Sequence, residues 1–100
     1  MQFTQADILR FADWSRDRNP LHVDPVHARE THFGGTLAHG MLTVIETLAA
    51  SVPRGPRAAL DIEFRGAVVP GRSYDPDATV EGDTVRHTLR TGDTVVLTLL

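Results

Sequence analysis

The apolar residues of this chain change their spacing near its middle: before that point they recur at helical intervals, and after it they alternate with polar residues. The segment Thr4-Gln5-Ala6-Asp7 has the form of a capping box, with Asp in place of the usual Glu. Ile8, Phe11 and Ala12 follow it at helical spacing. This pattern predicts a first helix from about residue 5 to residue 15 that buries those three side chains.

Two further helices are predicted before the change of spacing. Because Pro20 cannot continue a helix, we expect residues 17–23 to form a loop, followed by a short helix over about residues 25–31 with Asp24 as its cap. A longer helix begins near residues 38–40 and ends at the segment Pro53-Arg54-Gly55-Pro56. One face consists of Met41, Val44, Ile45, Leu48, Ala49 and Val52, and Leu42 adds a second, which predicts that this helix is covered on more than one side.

The alternating half of the chain predicts strands. Leu60, Ile62 and Phe64 alternate with charged residues, which is typical of a half-buried strand, and Pro70-Gly71 predicts a turn. Residues 74–80 form a weaker strand pattern that Pro76 restricts to an edge or a bulge. Short Gly-containing links then separate strands predicted over residues 84–90 and 94–100, which indicates antiparallel hairpins. Helices followed by such a meander predict a single α+β domain over residues 1–100, with the helices on one face of the sheet.

Composition narrows the function classes. The chain has 100 residues, 41% of them hydrophobic, and contains no cysteine. A domain this short buries a modest core and lacks disulfide reinforcement, so we expect association with a second copy, most simply a homodimer. The net charge is −3 and the ten cationic residues, all arginine, form no basic run, which argues against nucleic acid as a partner. The longest apolar stretch is too short to cross a bilayer and no signal segment is evident, so we expect a cytoplasmic protein without a membrane partner.

The candidate chemistry lies in the predicted loop and at the start of the long helix. Asp17 can accept protons, Asn19 can orient a water molecule through its amide, and His22 can accept or donate a proton near neutral pH. Two proton-transferring groups side by side suit the addition or loss of water across a double bond. The helix start at His39-Gly40 offers backbone N–H groups that can stabilise a carbonyl oxyanion. The residues do not decide whether Asp17 or His22 is the base toward water.

Two separated motifs resemble the MaoC-like, (R)-specific enoyl-CoA hydratase family. They are Phe11-Ala12-Asp13-Trp14-Ser15-Arg16-Asp17-Arg18-Asn19-Pro20-Leu21-His22-Val23-Asp24 and Phe33-Gly34-Gly35-Thr36-Leu37-Ala38-His39-Gly40-Met41-Leu42. The resemblance implies a hot-dog fold, in which an antiparallel sheet wraps a long central helix and two copies pair. It implies Asp17 and His22 as the catalytic acid/base pair, Asn19 as a water-orienting residue and the Gly40 N–H as the oxyanion donor. The implied substrate is a trans-2-enoyl thioester of coenzyme A or acyl carrier protein, hydrated reversibly to the (R)-3-hydroxyacyl form.

The chain departs from the family pattern in several places. Almost no chain precedes the first helix, so the N-terminal strand is expected to be largely missing and the sheet shortened. Arg16 stands where a small residue is common, and it can alter the proton affinity of Asp17, hold a substrate carboxylate or point to solvent. Arg54 and Arg57 could meet coenzyme A phosphates or the acidic surface of a carrier protein.

Other interpretations remain open beside the hydratase. The same fold can host conjugate addition, cyclisation or thioester hydrolysis, or it can bind an acyl chain or carrier protein without turnover. His39 is assigned a supporting hydrogen bond. The five-residue spacing of His22, His27 and His32 does not stack metal ligands on a helix face, so we expect neither a metal nor a cofactor.

Overall fold

The structure, a computed structural model, describes residues 1–50 and 59–100, and within them helices come first and a single sheet follows. The helices are α1 (Gln5–Ser15), α2 (Pro20–Val23), α3 (Pro25–Arg29) and α4 (Gly40–Ala50). The strands are β1 (Ile62–Phe64), β2 (Asp75–Glu81), β3 (Thr84–Thr91) and β4 (Thr94–Leu99). All strand pairs are antiparallel, in the order β1-β4-β3-β2. The predicted α+β class is confirmed.

Helix α1 has the predicted bounds and the predicted capping box. The Thr4 hydroxyl accepts a hydrogen bond from the Asp7 N–H at 3.1 Å, and the Asp7 carboxylate accepts one from the Thr4 N–H at 3.0 Å. Ile8 and Ala12 are fully buried, and Phe11 packs against the core from a partly buried position. Local sequence signals therefore account for this helix.

The capping box makes a testable contribution to stability. We expect Thr4→Ala to lower the free energy of unfolding by about 1 kcal/mol, because the Asp7 N–H loses its acceptor. Hydrogen bonding from the Thr4 N–H, with smaller contributions from the Thr4 side chain and Arg10, holds the pKa of Asp7 below its ordinary value of 3.8. The carboxylate's stabilisation is therefore complete above that value and is lost as the pH falls through the lower folded-state pKa. Urea unfolding at neutral and acidic pH tests both statements, with Thr4→Ser as the control that keeps the hydroxyl.

The segment predicted as one loop over residues 17–23 contains a helix, so that prediction was wrong in part. The loop ends at Asn19, whose side-chain oxygen accepts the Leu21 N–H at 3.0 Å and caps α2. Pro20 is the first residue of this helix, where a missing N–H costs nothing. Helix α3 begins at Pro25 as predicted, capped by Asp24, and ends at Arg29, two residues before the predicted end.

Helix α4 packs against β2, β3 and β4. Its buried residues are Leu42, Thr43, Val44 and Thr47. The predicted apolar residues Val44 and Leu42 are in the core and Leu48 packs against it, but the prediction was wrong for Met41 and Ile45, which are 51% and 42% exposed. Thr43 fits the interior because its hydroxyl donates to the Gly40 carbonyl at 2.6 Å. The predicted helix residue Val52, the segment Pro53-Arg54-Gly55-Pro56 and Arg57 lie outside the described residues.

Strands β2, β3 and β4 form the predicted meander, but β1 pairs with β4 and not with β2, so the prediction was wrong for the first strand. β2 is an edge strand, as Pro76 indicated, and both hairpin links use glycine at positive φ, Gly82 at 64° and Gly92 at 57°. β1 forms the other edge, and its apolar residues Ile62 and Phe64 are 39% and 55% exposed rather than half-buried against the core. Among the residues described, no helix has the length and apolar character needed to cross a membrane.

Candidate active site

Three of the predicted site residues converge between the end of α1 and the start of α4. Asp17, His22 and His39 each place one side-chain oxygen or nitrogen within 4.8 Å of the others. Asp17 is exposed, His22 is partly buried and His39 is 2% exposed. An acid and two imidazoles therefore share one small volume at the protein surface.

His22 is oriented by the backbone that leads into α4. Its Nδ1 lies 2.8 Å from the Leu37 carbonyl oxygen. Because a carbonyl can only accept, Nδ1 bears the proton and the neutral ring leaves Nε2 as an acceptor. The Gln5 side chain donates to the His22 carbonyl at 2.9 Å, and the Thr36 hydroxyl donates to Gln5 at 2.6 Å. The sequence did not predict these hydrogen bonds, because every residue has a backbone carbonyl and no sequence pattern shows which one will accept.

His39 connects the acidic loop to the start of α4. Its Nε2–H donates to the Asp17 backbone carbonyl at 2.8 Å, and its ring stacks on His22 with centroids 4.0 Å apart. The Phe11 ring lies against it at 4.9 Å. Its buried Nδ1 has no hydrogen-bond partner among the described residues. These contacts fix both the Asp17 backbone and the His22 ring, as the predicted supporting role requires.

The backbone at Arg16 turns Asp17 toward this cluster. Arg16 caps α1 in the left-handed region, with φ 68° and ψ 10°, and its N–H donates to the Ala12 carbonyl at 2.9 Å. The Asp17 carboxylate then accepts the Asn19 N–H at 3.3 Å. A left-handed residue at the helix end reverses the chain direction, and glycine adopts this conformation with less strain than arginine.

We expect Arg16→Gly to raise the free energy of unfolding by about 1 kcal/mol, because it removes the Cβ strain of a left-handed residue. Arg16→Ala is the matched control, since it removes the same charge and keeps the Cβ. Chemical denaturation of the three proteins measures the effect. A stabilisation equal in both variants would assign it to charge and contradict the backbone explanation.

Asn19 takes part in a local hydrogen bond that the sequence analysis did not anticipate. Its side-chain oxygen is the α2 cap, while its Nδ2 donors make no hydrogen bond to the described residues. These two N–H donors are therefore free to bind and orient a water molecule. The water-orienting role therefore stays a prediction, restricted to the NH₂ group.

Gly40 is the first residue of α4, and its N–H has no acceptor among the described residues. The ring of Phe64 lies directly against it, so that a Cβ built on Gly40 would be 2.8 Å from the Phe64 Cζ. Unpaired N–H groups at a helix start have partial positive charge. The arrangement gives a bare donor that a substrate oxygen can approach, and Phe64 is a neighbour that the sequence analysis did not link to the site.

An open cleft of about 760 Å³, which we call the catalytic cleft, is lined by some of these groups but not by His22 or Asn19. It is lined by Asp17, His39 and Gly40 together with apolar residues, among them Phe11, Trp14 and Ile45. Trp14 is 76% exposed at its rim. The wall suits an apolar chain, and the polar end suits proton transfer.

The donor set Asp17, His22 and His39 differs from the histidines that the sequence analysis weighed as metal ligands. Carboxylate and imidazole groups are ordinary zinc ligands. The two imidazole planes are stacked, 26° apart, so their in-plane lone pairs do not meet at one point. The arrangement suits two rings that support each other better than two rings that share an ion.

Comparison with known proteins identifies the family of this chain. The model of the family described as "MaoC like domain" matches residues 1–99. An (R)-specific enoyl-CoA hydratase of Rhodospirillum rubrum is 34% identical over 85 residues, covering 79% of this chain and 58% of that protein. A mitochondrial 3-hydroxyacyl-[acyl-carrier-protein] dehydratase of Arabidopsis thaliana is 36% identical over 72 residues, covering 69% of this chain and 43% of that protein.

The solved structures show the same architecture. An (R)-hydratase from A. caviae involved in PHA biosynthesis superimposes with a TM-score of 0.77 at 26% identity, covering 99% of this chain and 85% of that one. The chain belongs to the MaoC-like domain family and has the hot-dog fold that the two motifs implied. It spans less than two thirds of the length of the two sequence relatives described above.

Proposed function

We propose that this protein is a hydratase or dehydratase of enoyl thioesters, acting on coenzyme A or acyl carrier protein substrates without a metal or other cofactor. One observation supports this most directly: Asp17 and His22 lie together in one cluster, and Asp17 lines the same cleft as Gly40, whose N–H at the start of α4 is unpaired within residues 1–50 and 59–100. Two proton-transferring groups and an oxyanion donor are what the addition of water to a polarised double bond requires. The relatives named above have hydratase and dehydratase activities of this kind.

The hydrogen bond from His22 Nδ1 to the Leu37 carbonyl favours His22 as the base toward water and leaves Asp17 to bind the water. A water molecule lies between the Asp17 carboxylate and the unprotonated His22 Nε2, with the Asn19 NH₂ group orienting it. As the water oxygen forms a bond to C3, its proton passes to Nε2 and the double-bond electrons move into the thioester, whose oxyanion accepts the Gly40 N–H. The proton then passes to C2, the carbonyl re-forms and both side chains return to their starting state. Dehydration reverses these steps.

The direct test is hydration of crotonyl-CoA by the purified protein. We expect loss of the enoyl absorbance and formation of the (R)-3-hydroxybutanoyl thioester, resolved by chiral analysis. Thioester hydrolysis would release free thiol instead, and conjugate addition would give a product of different mass. A panel that also includes crotonyl-acyl carrier protein identifies the carrier. Absence of hydration with every thioester in the panel would refute the proposed function.

The same proposal includes a homodimer that pairs through β1. Large apolar side chains are exposed together on α4 and β1: Met41, Ile45, Ile62 and Phe64. β1 is an edge strand, and the hydrogen bonds between Asp61 and Leu100 direct the N–H and C=O of Ile62 away from β4. An edge with unpaired backbone groups and apolar side chains is complementary to a second copy of itself in antiparallel orientation. Such pairing would also cover the apolar α4 residues that this single chain exposes.

A further inference from the structure

The ring of Phe64 stands between the catalytic cleft and a second cleft. The second cleft has a volume of about 410 Å³ and is lined largely by apolar residues: Phe33, Leu37, Ala38, Val68 and Val96 among them. Among the residues that the structure describes, the two clefts share Gly40 and Phe64 alone. A molecule that binds the Gly40 N–H and extends from one cleft into the other must therefore pass the ring of Phe64.

The ring lies close to the site but is weakly held. Its Cζ and Cε1 atoms are 2.8 and 2.9 Å from the position that a Gly40 Cβ would occupy. Phe64 is nonetheless 55% exposed, and it belongs to a three-residue edge strand whose sheet neighbour is β4 alone. A half-exposed ring on a short edge strand can change its rotamer at small cost. Strand pairing with a second copy uses the backbone N–H and C=O groups along the free edge, whereas the Phe64 side chain projects from a face of the sheet and not along that edge.

We propose that Phe64 is the residue that sets acyl-chain length, acting as a gate between the two clefts. This inference rests on the proposed function and adds the substrate class to it. With the ring over Gly40, an acyl chain whose thioester oxygen accepts the Gly40 N–H ends against the ring. When the ring turns aside, the chain continues along Leu37, Val68 and Val96, whose apolar surfaces suit methylene groups. The cationic Arg65 at this cleft is paired with Glu63 at 3.1 Å.

The test is a chain-length profile of Phe64→Ala. We expect the ratio of kcat/KM for trans-2-dodecenoyl-CoA to that for crotonyl-CoA to rise at least about tenfold over the wild-type ratio. Ile62→Ala is the matched control, because Ile62 lies on the same strand and the same face but lines neither cleft. We expect its ratio to be unchanged. Phe64→Trp should shift the ratio in the opposite direction, toward crotonyl-CoA.

A binding experiment separates failure of the gate from failure of the proposed function. Calorimetry compares butanoyl-CoA and dodecanoyl-CoA binding to Asp17→Asn with binding to Asp17→Asn combined with Phe64→Ala, so no turnover is needed. A selective gain for dodecanoyl-CoA in the double variant supports the gate even if no thioester is hydrated. The same affinity ratio in both proteins, or no acyl-CoA binding by either, overturns it. If Phe64→Ala does not fold, Phe64→Leu keeps an apolar contact with a smaller side chain and is judged by the same ratio.

Discussion

Replacing His22 with glutamine or Asp17 with asparagine is expected to lower kcat for crotonyl-CoA hydration by at least about a hundredfold each, since a positioned acid or base contributes 10²–10⁴ in rate. His22→Gln removes the Nε2 base but keeps a side chain of similar length. Asp17→Asn removes the carboxylate acceptor while the backbone carbonyl that accepts the His39 Nε2–H at 2.8 Å remains. Steady-state kinetics with crotonyl-CoA measures both effects.

The design of this test includes nearby controls. Asp13→Asn removes an exposed carboxylate on α1, whose partner is Arg18, and His27→Gln removes an exposed imidazole on α3. We expect both variants to keep wild-type kcat and KM. If Asp17 and His22 act on one water molecule, as proposed, the double variant should lose little more activity than the worse single variant. Full activity in either single variant, with circular dichroism showing an intact fold, would remove that residue from the mechanism.

The substitution Ile62→Pro is expected to prevent formation of the proposed dimer. Proline removes an N–H that points away from β4, so it interrupts pairing with a second copy and leaves the β1–β4 ladder intact. Light scattering coupled to size-exclusion chromatography should show a mass near twice that of the chain for the wild type and near one chain for the variant.

Two further variants serve as controls for Ile62→Pro. Ile62→Val keeps both the N–H and the apolar surface, so it should remain dimeric. Glu63→Pro removes an N–H directed toward β4, by the alternation of the antiparallel ladder, and should destabilise the fold itself. A dimer that persists in Ile62→Pro would place the contact elsewhere, and a wild type that is monomeric at all concentrations would refute the dimer.

Signals within a few residues of each other predicted much of this fold. The capping box of Thr4 and Asp7 fixed where α1 begins, and the links containing Gly82 and Gly92 marked two hairpins. Pro20 shows the limit of such reasoning, because proline both breaks a helix and begins one. The neighbouring Asn19 cap decided the outcome, and it favoured a short helix where a loop was expected.

Features that depend on contacts between distant residues could not be predicted. Asp17, His22 and Gly40 were identified from their residue types and motifs, but the hydrogen bond from His39 to the Asp17 carbonyl spans 22 residues of sequence. The ring of Phe64 over Gly40 depends likewise on how β1 lies beside α4. The exposure of Met41 could not be predicted either, because an apolar residue on a helix has the same identity whether it is buried or exposed.

The adjacency of His39 and Gly40 has a consequence for how this site can evolve. His39 holds the acidic loop through its hydrogen bond to the Asp17 carbonyl, and its neighbour in sequence, Gly40, carries the unpaired N–H. A shift of the start of α4 therefore moves both groups together. Insertions or substitutions in the distant hairpins therefore leave the distance between His39 and Gly40 unchanged. We expect substitutions that adapt the site to new substrates to occur mainly in the walls of the clefts, where a changed side chain leaves His39 and Gly40 in place.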